Sequence, residues 1–468
     1  MSPAQRDARD RIGVVKATVV WFRRDLRLTD NAAVAAAAAE GAVIALFVVD
    51  PAFAASGAPR RAFMADALDA LNRSTGGALV YRSGDPVDVV PAVAAAVGAS
   101  SVIVAEDFGP YGRRRDAEVG RRLQRDGRSL RRVGSPYAVA PGSVRKDDGS
   151  PYAVFTPFHK RWVNQLGPGT ESSSPPDVTW RRSPECGGEA PPLRPTPGCQ
   201  LPQATEAAAA QLLDRLDPGG ALDHYDSDRD FPARDGTSRL SGYLRWGIIH
   251  PNQMLGRLQP TRAHEVLRSE LGWRDFYADV LATRPESAWN NLQPKMDRMP
   301  VDTDRAAHTR FAAWADGATG YPIVDAGMRQ LLATGWMHNR VRMIVASFLV
   351  KDLHLPWQWG ARHFLQHLVD GDLASNNHGW QWAAGTGTDA APYFRIFNPV
   401  SQSQRFDPDG VYIRAWIPEL AHISDKDIHA PWQSKRGIPL AYHPPMIDHP
   451  TERAEALVRY ALVSRANR

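Results

Sequence analysis

Cysteine and lysine are both scarce in this 468-residue chain. The two cysteines, Cys186 and Cys199, stand in a Pro/Gly-rich stretch at a spacing that fits no metal motif. A disulfide between them would be out of place in a reducing compartment. Lysine occurs seven times, so arginine carries nearly all the positive charge of a chain whose net charge is +5. That balance permits nucleic-acid binding without demonstrating it. No apolar run reaches the length of a membrane span, and the Ala-rich stretch Ala32 to Ala39 is far too short. Residues 1–16 mix charges and lack an apolar signal core, which predicts a disordered tail on a cytoplasmic protein with no membrane partner. No G-x-G-x-x-G follows the first candidate strand, so an ordinary dinucleotide site has no support there. His363 and His367 share an i,i+4 helix face without a third ligand nearby; a polar helix face explains them better than a metal, and none is expected.

What is present divides by pattern. The length favours two or three domains. Over residues 17–134, candidate strands at Thr18–Phe22, Val43–Asp50, Ala78–Arg82, Ser101–Asp107 and Ser129–Val133 alternate with helical segments at Ala32–Glu40, Arg60–Leu71, Val87–Val97 and Gly112–Arg125. This alternation predicts an α/β domain with a parallel, Rossmann-like sheet. Residues 135–204 are rich in Pro, Gly and Ser and read as a long surface connector with one helix at Pro157–Gln165. From 205 to 468 the period is helical, strongest in Ile323–Ala333, Arg340–Leu353 and Trp357–Val369, which predicts an all-α domain.

The densest chemistry lies in DGDLASNNHGWQWAAGTGTDAAPYFR, Asp370 to Arg395. A buried aspartate such as Asp370 or Asp372 needs a cation or several donors. Trp380 and Trp382 lie two apart, so on a helix one ring can look inward while the other reaches a cavity. A flat, polar-edged, redox-active aromatic ligand would suit such a wall. This run, with TVVWFRRDLRLTDN (Thr18 to Asn31), FTPFHKRW (Phe155 to Trp162), RDFPARDGTSRLSGYLRWG (Arg229 to Gly247), ELGWRDFY (Glu270 to Tyr277) and the stretch Thr319 to Leu353, resembles the photolyase/cryptochrome family along most of the chain. Its class I branch, which repairs cyclobutane pyrimidine dimers, is the most similar.

The resemblance implies FAD inside the helical domain. Tyr225, Thr237, Ser238, Arg239, Leu240 and Ser241 match its phosphate- and ribose-binding segment, where hydroxyls, backbone amides and a helix N-terminus can satisfy a pyrophosphate. Standing alone, GTSRLS would more often be an ordinary helix cap. Arg274, Asn339, Arg342, Asp370, Asp372 and Asn376 match positions around the flavin ring, with Arg342 the expected partner of Asp370. Asn376 matches the position facing flavin N5, where a neutral amide favours the reduced anionic form. Glu270, Trp273, Asn339, Met343 and Trp382 match the pocket for the dimer: two rings and a thioether hold its nonplanar apolar face, and Glu270 bonds its imide edge. Without the family, each would more often be core than site. The dimer must be flipped from the duplex. Phosphate contacts are expected from Arg229, Arg340 and Arg395, and the partner is UV-damaged DNA, double- or single-stranded, bound by a monomer.

Two departures stand out. Of the family's relay of three tryptophans, Trp380 and Trp357 match the first two, but the third falls on Asp304, ten residues before Trp314. Trp289 and Trp359 are the available substitutes. A flavin-contact tryptophan of relatives is replaced by Leu267. For the antenna, DFGPYGRRRD (Asp107 to Asp116) resembles relatives that bind 8-hydroxy-5-deazaflavin, with Arg61 and Asp107 at matching positions; methenyltetrahydrofolate is the alternative, and a structural ion pair would explain the same two residues. A light-driven lyase is therefore expected, against two alternatives: a blue-light receptor of cryptochrome type and a 6-4 photoproduct photolyase. Asn376, Trp382 and the lack of a long extension after Arg468 favour the first. The 6-4 branch uses a histidine pair, of which His338 supplies one.

Overall fold

A computed structural model describes residues 17–167, 175–186, 188–192, 194–388, 395–435 and 437–465. The tail expected at residues 1–16 lies outside them. Five parallel strands form one sheet: β1 (Ala17–Phe22), β2 (Ala42–Val49), β3 (Leu79–Ser83), β4 (Ser101–Val104) and β5 (Ser129–Arg132), in the order β3-β2-β1-β4-β5. The order reverses between β1 and β4, which opens a crevice at their carboxyl ends. The candidate strand Ser101–Asp107 stops at Val104 because the Asp107 carboxylate accepts the Gly109 N–H at 3.0 Å and turns the chain into helix Pro110–Arg125.

All six residues of β1 are buried, so its side chains serve two cores. Val19 and Trp21, with Ile44 and Leu46 of β2, pack on Val90, Val93, Val119 and Leu123 of the two helices covering one face. Val20, Phe22, Val43, Ala45 and Phe47 face the other way, into a core that continues through Phe63 and Leu68 to Trp162, Tyr243, Trp246 and Phe276. That second core joins the sheet to the helical domain, each large apolar side chain contributing about 1.5–3 kcal/mol. The connector takes part: its helix, Phe155–Val163, buries Phe158 and Trp162, and Trp180 bridges to Val43 at the edge of β2.

Among the described residues every strand lies before residue 133, and the rest of the regular structure is helical. The segment expected as one helix over Arg340–Leu353 is instead an α-helix, Asn339–Ser347, that widens into a π-turn at Phe348–Asp352. The turn carries the buried Lys351, whose Nζ donates to the Arg395 carbonyl; burial pulls its pKa down to about 7.

Gly57, at the head of helix Ala58–Ser74, lies against helix Trp357–His367 so closely that a Cβ there would fall 1.6 Å from the Gln366 carbonyl oxygen. Arg60 and Gln366 bond the facing carbonyls of Leu365 and Ala55 at 3.4 and 3.0 Å. Gly57→Ala should therefore destabilise the protein by about 1–3 kcal/mol, read as a lowered thermal midpoint. An unchanged midpoint would show that the two helices do not meet this closely.

Candidate active site

The 262–283 helix forms one wall. Thr261 caps its start by accepting the His264 N–H, and Gly272 admits the ring of His159 where a Cβ would stand 2.6 Å from it. Glu270, Trp273, Arg274 and Tyr277 recur at i, i+3, i+4 and i+7 and are half-buried among otherwise buried neighbours, so they share a face that is not filled by core. Trp273 stacks on Phe155 at 3.7 Å and 10°, which fixes its indole and covers one of its faces. Glu270 accepts from Arg229 Nη1 at 2.6 Å, and Arg340 pairs with Asp230 at 2.8 Å while lying over Phe406. Two of the arginines expected to meet DNA thus stand beside carboxylates, one of them Glu270 itself. Arg395 is exposed.

Helix Leu373–Ala384 faces this wall and packs against both the 262–283 and 339–347 helices. Asp372 caps it, accepting the Ser375 N–H at 3.1 Å. The same carboxylate receives Arg24 Nη2 at 2.8 Å, from the loop after β1, with Arg245 Nε at 3.8 Å. Burial alone would raise its pKa, but Arg24, Arg245 and Arg274 hold it well below the usual carboxylate range. Its contribution is therefore complete above about pH 4 and is lost only as the pH falls into strong acid. Arg24 was not anticipated; nothing in its local pattern says that it reaches a carboxylate in the other domain. Asp372 serves this junction, and Arg274 lies over Tyr137 at 4.5 Å and donates to the Leu244 carbonyl.

Asp370 behaves as expected. Arg342 Nη2 donates to its Oδ2 at 2.8 Å, and Oδ1 is buried without a protein partner. Asn376 directs its Nδ2 at two acceptors, Ala361 O at 3.1 Å and Asn377 Oδ1 at 2.8 Å, which leaves the carbonyl as the end of the amide that can meet a ligand. The amide therefore offers an acceptor for a ligand N–H. His338 caps the next helix through Nδ1, which accepts the Arg340 N–H. Burial and Arg239 pull its pKa down to about 4, so the ring is neutral, and the proton sits on Nε2, which is buried without a partner. Asn339 is exposed and Met343 half-buried on the same face of that helix.

In GTSRLS, Thr237 Oγ1 is buried and unpartnered, and Ser238 Oγ accepts the Leu240 N–H at 3.4 Å. Arg239 adopts φ +57°, a conformation costly for a side-chain-bearing residue, with its guanidinium 4.1 Å over Trp336. Leu240 and Tyr225 are buried, so Leu240 can offer a ligand only its backbone; Ser241 opens helix Ser241–Trp246. The orphaned acceptor of Asp370, the orphaned donor of His338 and the orphaned hydroxyl of Thr237 fit a ligand with both ring N–H and phosphate groups. A cavity of about 670 Å³ lies elsewhere, between Leu26, Leu71, Trp180 and Glu206, and includes none of these residues.

Trp380 is buried, its ring seated where Gly360 has no side chain; Trp382 is half-buried, as their spacing predicted. Trp357 stands one turn before Gly360 on the same helix face. At the sheet's crevice, Asp107 is paired with Arg115 at 3.3 Å, not with Arg61, and Arg115 also meets Asp116, which Arg23 binds at 2.6 Å. Arg23 and Arg115 lie 4.7 and 4.9 Å from the Trp21 ring.

Residues 18–177 match the family model for DNA photolyase, and residues 266–462 that for the FAD binding domain of DNA photolyase. The chain belongs to the DNA photolyase family. The deoxyribodipyrimidine photo-lyase of Escherichia coli (strain K12) is 40% identical over 485 residues, spanning 94% of this chain and 98% of its own length. A bacterial class III photolyase from Agrobacterium tumefaciens superposes with a TM-score of 0.85 at 35% identity, covering 96% of this chain and 98% of its own. A cryptochrome from Synechocystis sp. PCC6803 reaches the same TM-score of 0.85 at 27% identity, over 95% of this chain and 99% of its own. Photolyases and cryptochromes thus share the fold equally, and the site residues carry the distinction.

Arg342→Met would strand the Asp370 carboxylate, 4% exposed in its side chain, without its cation. A loss of about 3–5 kcal/mol is expected in urea unfolding at neutral pH. A change within about 0.5 kcal/mol would mean that the pair does not hold this wall.

Proposed function

We propose that this protein is a light-driven lyase that splits cyclobutane pyrimidine dimers in DNA. The observation that carries this is the packing of helix Leu373–Ala384, which carries Asn376 and Trp382, against both the helix of Glu270 and Trp273 and the helix of Arg342 and Met343. FAD, when bound, supplies the excited one-electron donor. Arg342 orients Asp370 so that its free oxygen can accept a ring N–H, Asn376 offers its carbonyl to the same ring system, and the GTSRLS hydroxyls and amides take the phosphates. Trp380, buried against Gly360 on the same helix as Asn376, would serve as an electron donor to that ring.

The substrate side is built for a flipped lesion. Trp273, backed by Phe155, presents one open face, and Trp382 supplies a second ring, worth about 1–3 kcal/mol per stacked base. Glu270 takes the imide edge, and Arg229 beside it balances the negative charge that develops on the dimer. Arg340 and Arg395 contact phosphates. At the crevice between β1 and β4, Asp107, Arg115 and Arg23 offer a polar place for an antenna chromophore, with 8-hydroxy-5-deazaflavin the better match and methenyltetrahydrofolate the alternative. The protein acts as a monomer in the cytoplasm, on the nucleoid.

A reduced sample given an oligonucleotide with one cis-syn thymine dimer should restore it under blue light and not in the dark. The Trp273→Ala, Trp382→Ala double variant should lose that restoration. No repair by wild-type protein holding reduced FAD would favour a light receptor or a 6-4 enzyme. Arg340→Ala should weaken dimer-DNA binding and reduce the salt slope by about one ion; an unchanged affinity and slope would remove Arg340 from the interface.

A further inference from the structure

The rings around Trp380 make a path of their own. Trp380 meets Trp314 edge-on, centroids 6.0 Å apart at 73°. Trp314, wholly buried, lies 5.7 Å from Phe311 at 30°, and Phe311 meets Trp359 edge-on at 5.5 Å. Trp359 is half-buried and stacks at 4.4 Å on the imidazole of His308, which is exposed. His308, Phe311 and Trp314 share one face of helix Arg305–Ala315. The cap of that helix is Asp304, whose carboxylate accepts the Ala307 N–H at 2.8 Å. The element that places an acid at the expected relay position therefore carries a second set of rings inward from the surface.

The other candidates fare worse. Among the described residues no ring is in contact with Trp357, and its indole N–H is committed to Asn291 Oδ1 at 2.9 Å. Trp289 has the Arg362 guanidinium 5.0 Å above its ring, and a cation there opposes loss of an electron.

We infer that electrons enter from the surface at Trp359, cross the Phe311 contact to Trp314, and reach the flavin through Trp380. The path rests on the FAD reading given above. Trp380 gives up one electron to the flavin, Trp314 refills Trp380, and Trp359 refills Trp314; Phe311 bridges and is not oxidised. The vacancy ends on Trp359, where a soluble thiol supplies one electron and releases its S–H proton to water, and two thiyl radicals combine to a disulfide. Solvation sets the direction: a radical cation on Trp380 or Trp314 is buried and costly, whereas one on Trp359 is partly hydrated. Neither inner indole has an outlet for its proton, since Trp380 Nε1 has no partner and Trp314 Nε1 donates to the Val345 carbonyl at 3.1 Å. His363, 5.4 Å from Trp314, adds no repelling charge: burial and His367 hold it neutral, its pKa pulled down to about 3.

Blue-light photoreduction of the flavin-loaded protein with dithiothreitol, followed by flavin absorbance and by tryptophan-radical transient absorption, tests the path. Trp359→Phe should fall to the level of Trp380→Phe, and dithiothreitol should no longer shorten the radical's lifetime, while Trp357→Phe still photoreduces. Wild-type photoreduction in Trp359→Phe, with Trp357→Phe reduced to the Trp380→Phe level, would overturn it. Flavin content and melting temperature show whether Trp359→Phe is folded, and Phe311→Leu, which removes no tryptophan, should slow the same step. Repair by chemically reduced wild-type protein reports separately on the proposed function: its failure would sink that function and leave the relay result standing.

Discussion

A carboxylate buried where two domains meet cannot stay ionised unless cations come to it, and in this protein they come from both sides. Asp372 receives Arg24 from the loop after β1 and faces Arg245 from the helical domain. It also caps the helix that carries Asn376, Trp380 and Trp382. One group therefore fixes the start of that helix, its rotation, and its distance from the sheet. Losing it would leave several guanidiniums buried without compensation, which is costlier than the pair is stabilising.

The rest of the site inherits that placement. Once the helix is held, Gly360 lets Trp380 settle against the 357–367 helix, and the two amides of Asn376 and Asn377 lock in sequence, the second donating to the Ala288 carbonyl. Opposite, Phe155 pins Trp273 and Arg229 pins Glu270, so the facing wall is rigid before any ligand arrives. Rigid rings and pre-oriented dipoles are what a short-lived excited donor demands, because they cost no reorganisation at the moment of transfer. The unmatched atoms of Asp370, His338 and Thr237 mark where binding energy remains to be gained.

Much of this was legible in the chain. The five strands follow from apolar runs bounded by turns, and their parallel pairing from the helices between them. The Arg342–Asp370 pair followed from the cost of a buried acid, and the divergent rings of Trp380 and Trp382 from their spacing. What stayed hidden depends on tertiary contact. Arg24 and Asp372 lie 348 residues apart. The Asp107–Arg115 pair replaced the expected link to Arg61 because helix Pro110–Arg125 turns Arg115 back over the crevice. The π-turn at Phe348–Asp352 has no periodic signature, and the orientation of the Asn376 amide is set by a carbonyl fifteen residues away.

The claim that Asp372 ties the domains is tested most directly by a double-mutant cycle on chemical unfolding, using Arg24→Ala, Asp372→Ala and the pair together. A coupling energy of about 1–3 kcal/mol is predicted, because each single replacement strands the other charge. A cycle that closes to within about 0.3 kcal/mol would contradict the account, since the two residues would then stabilise the protein independently.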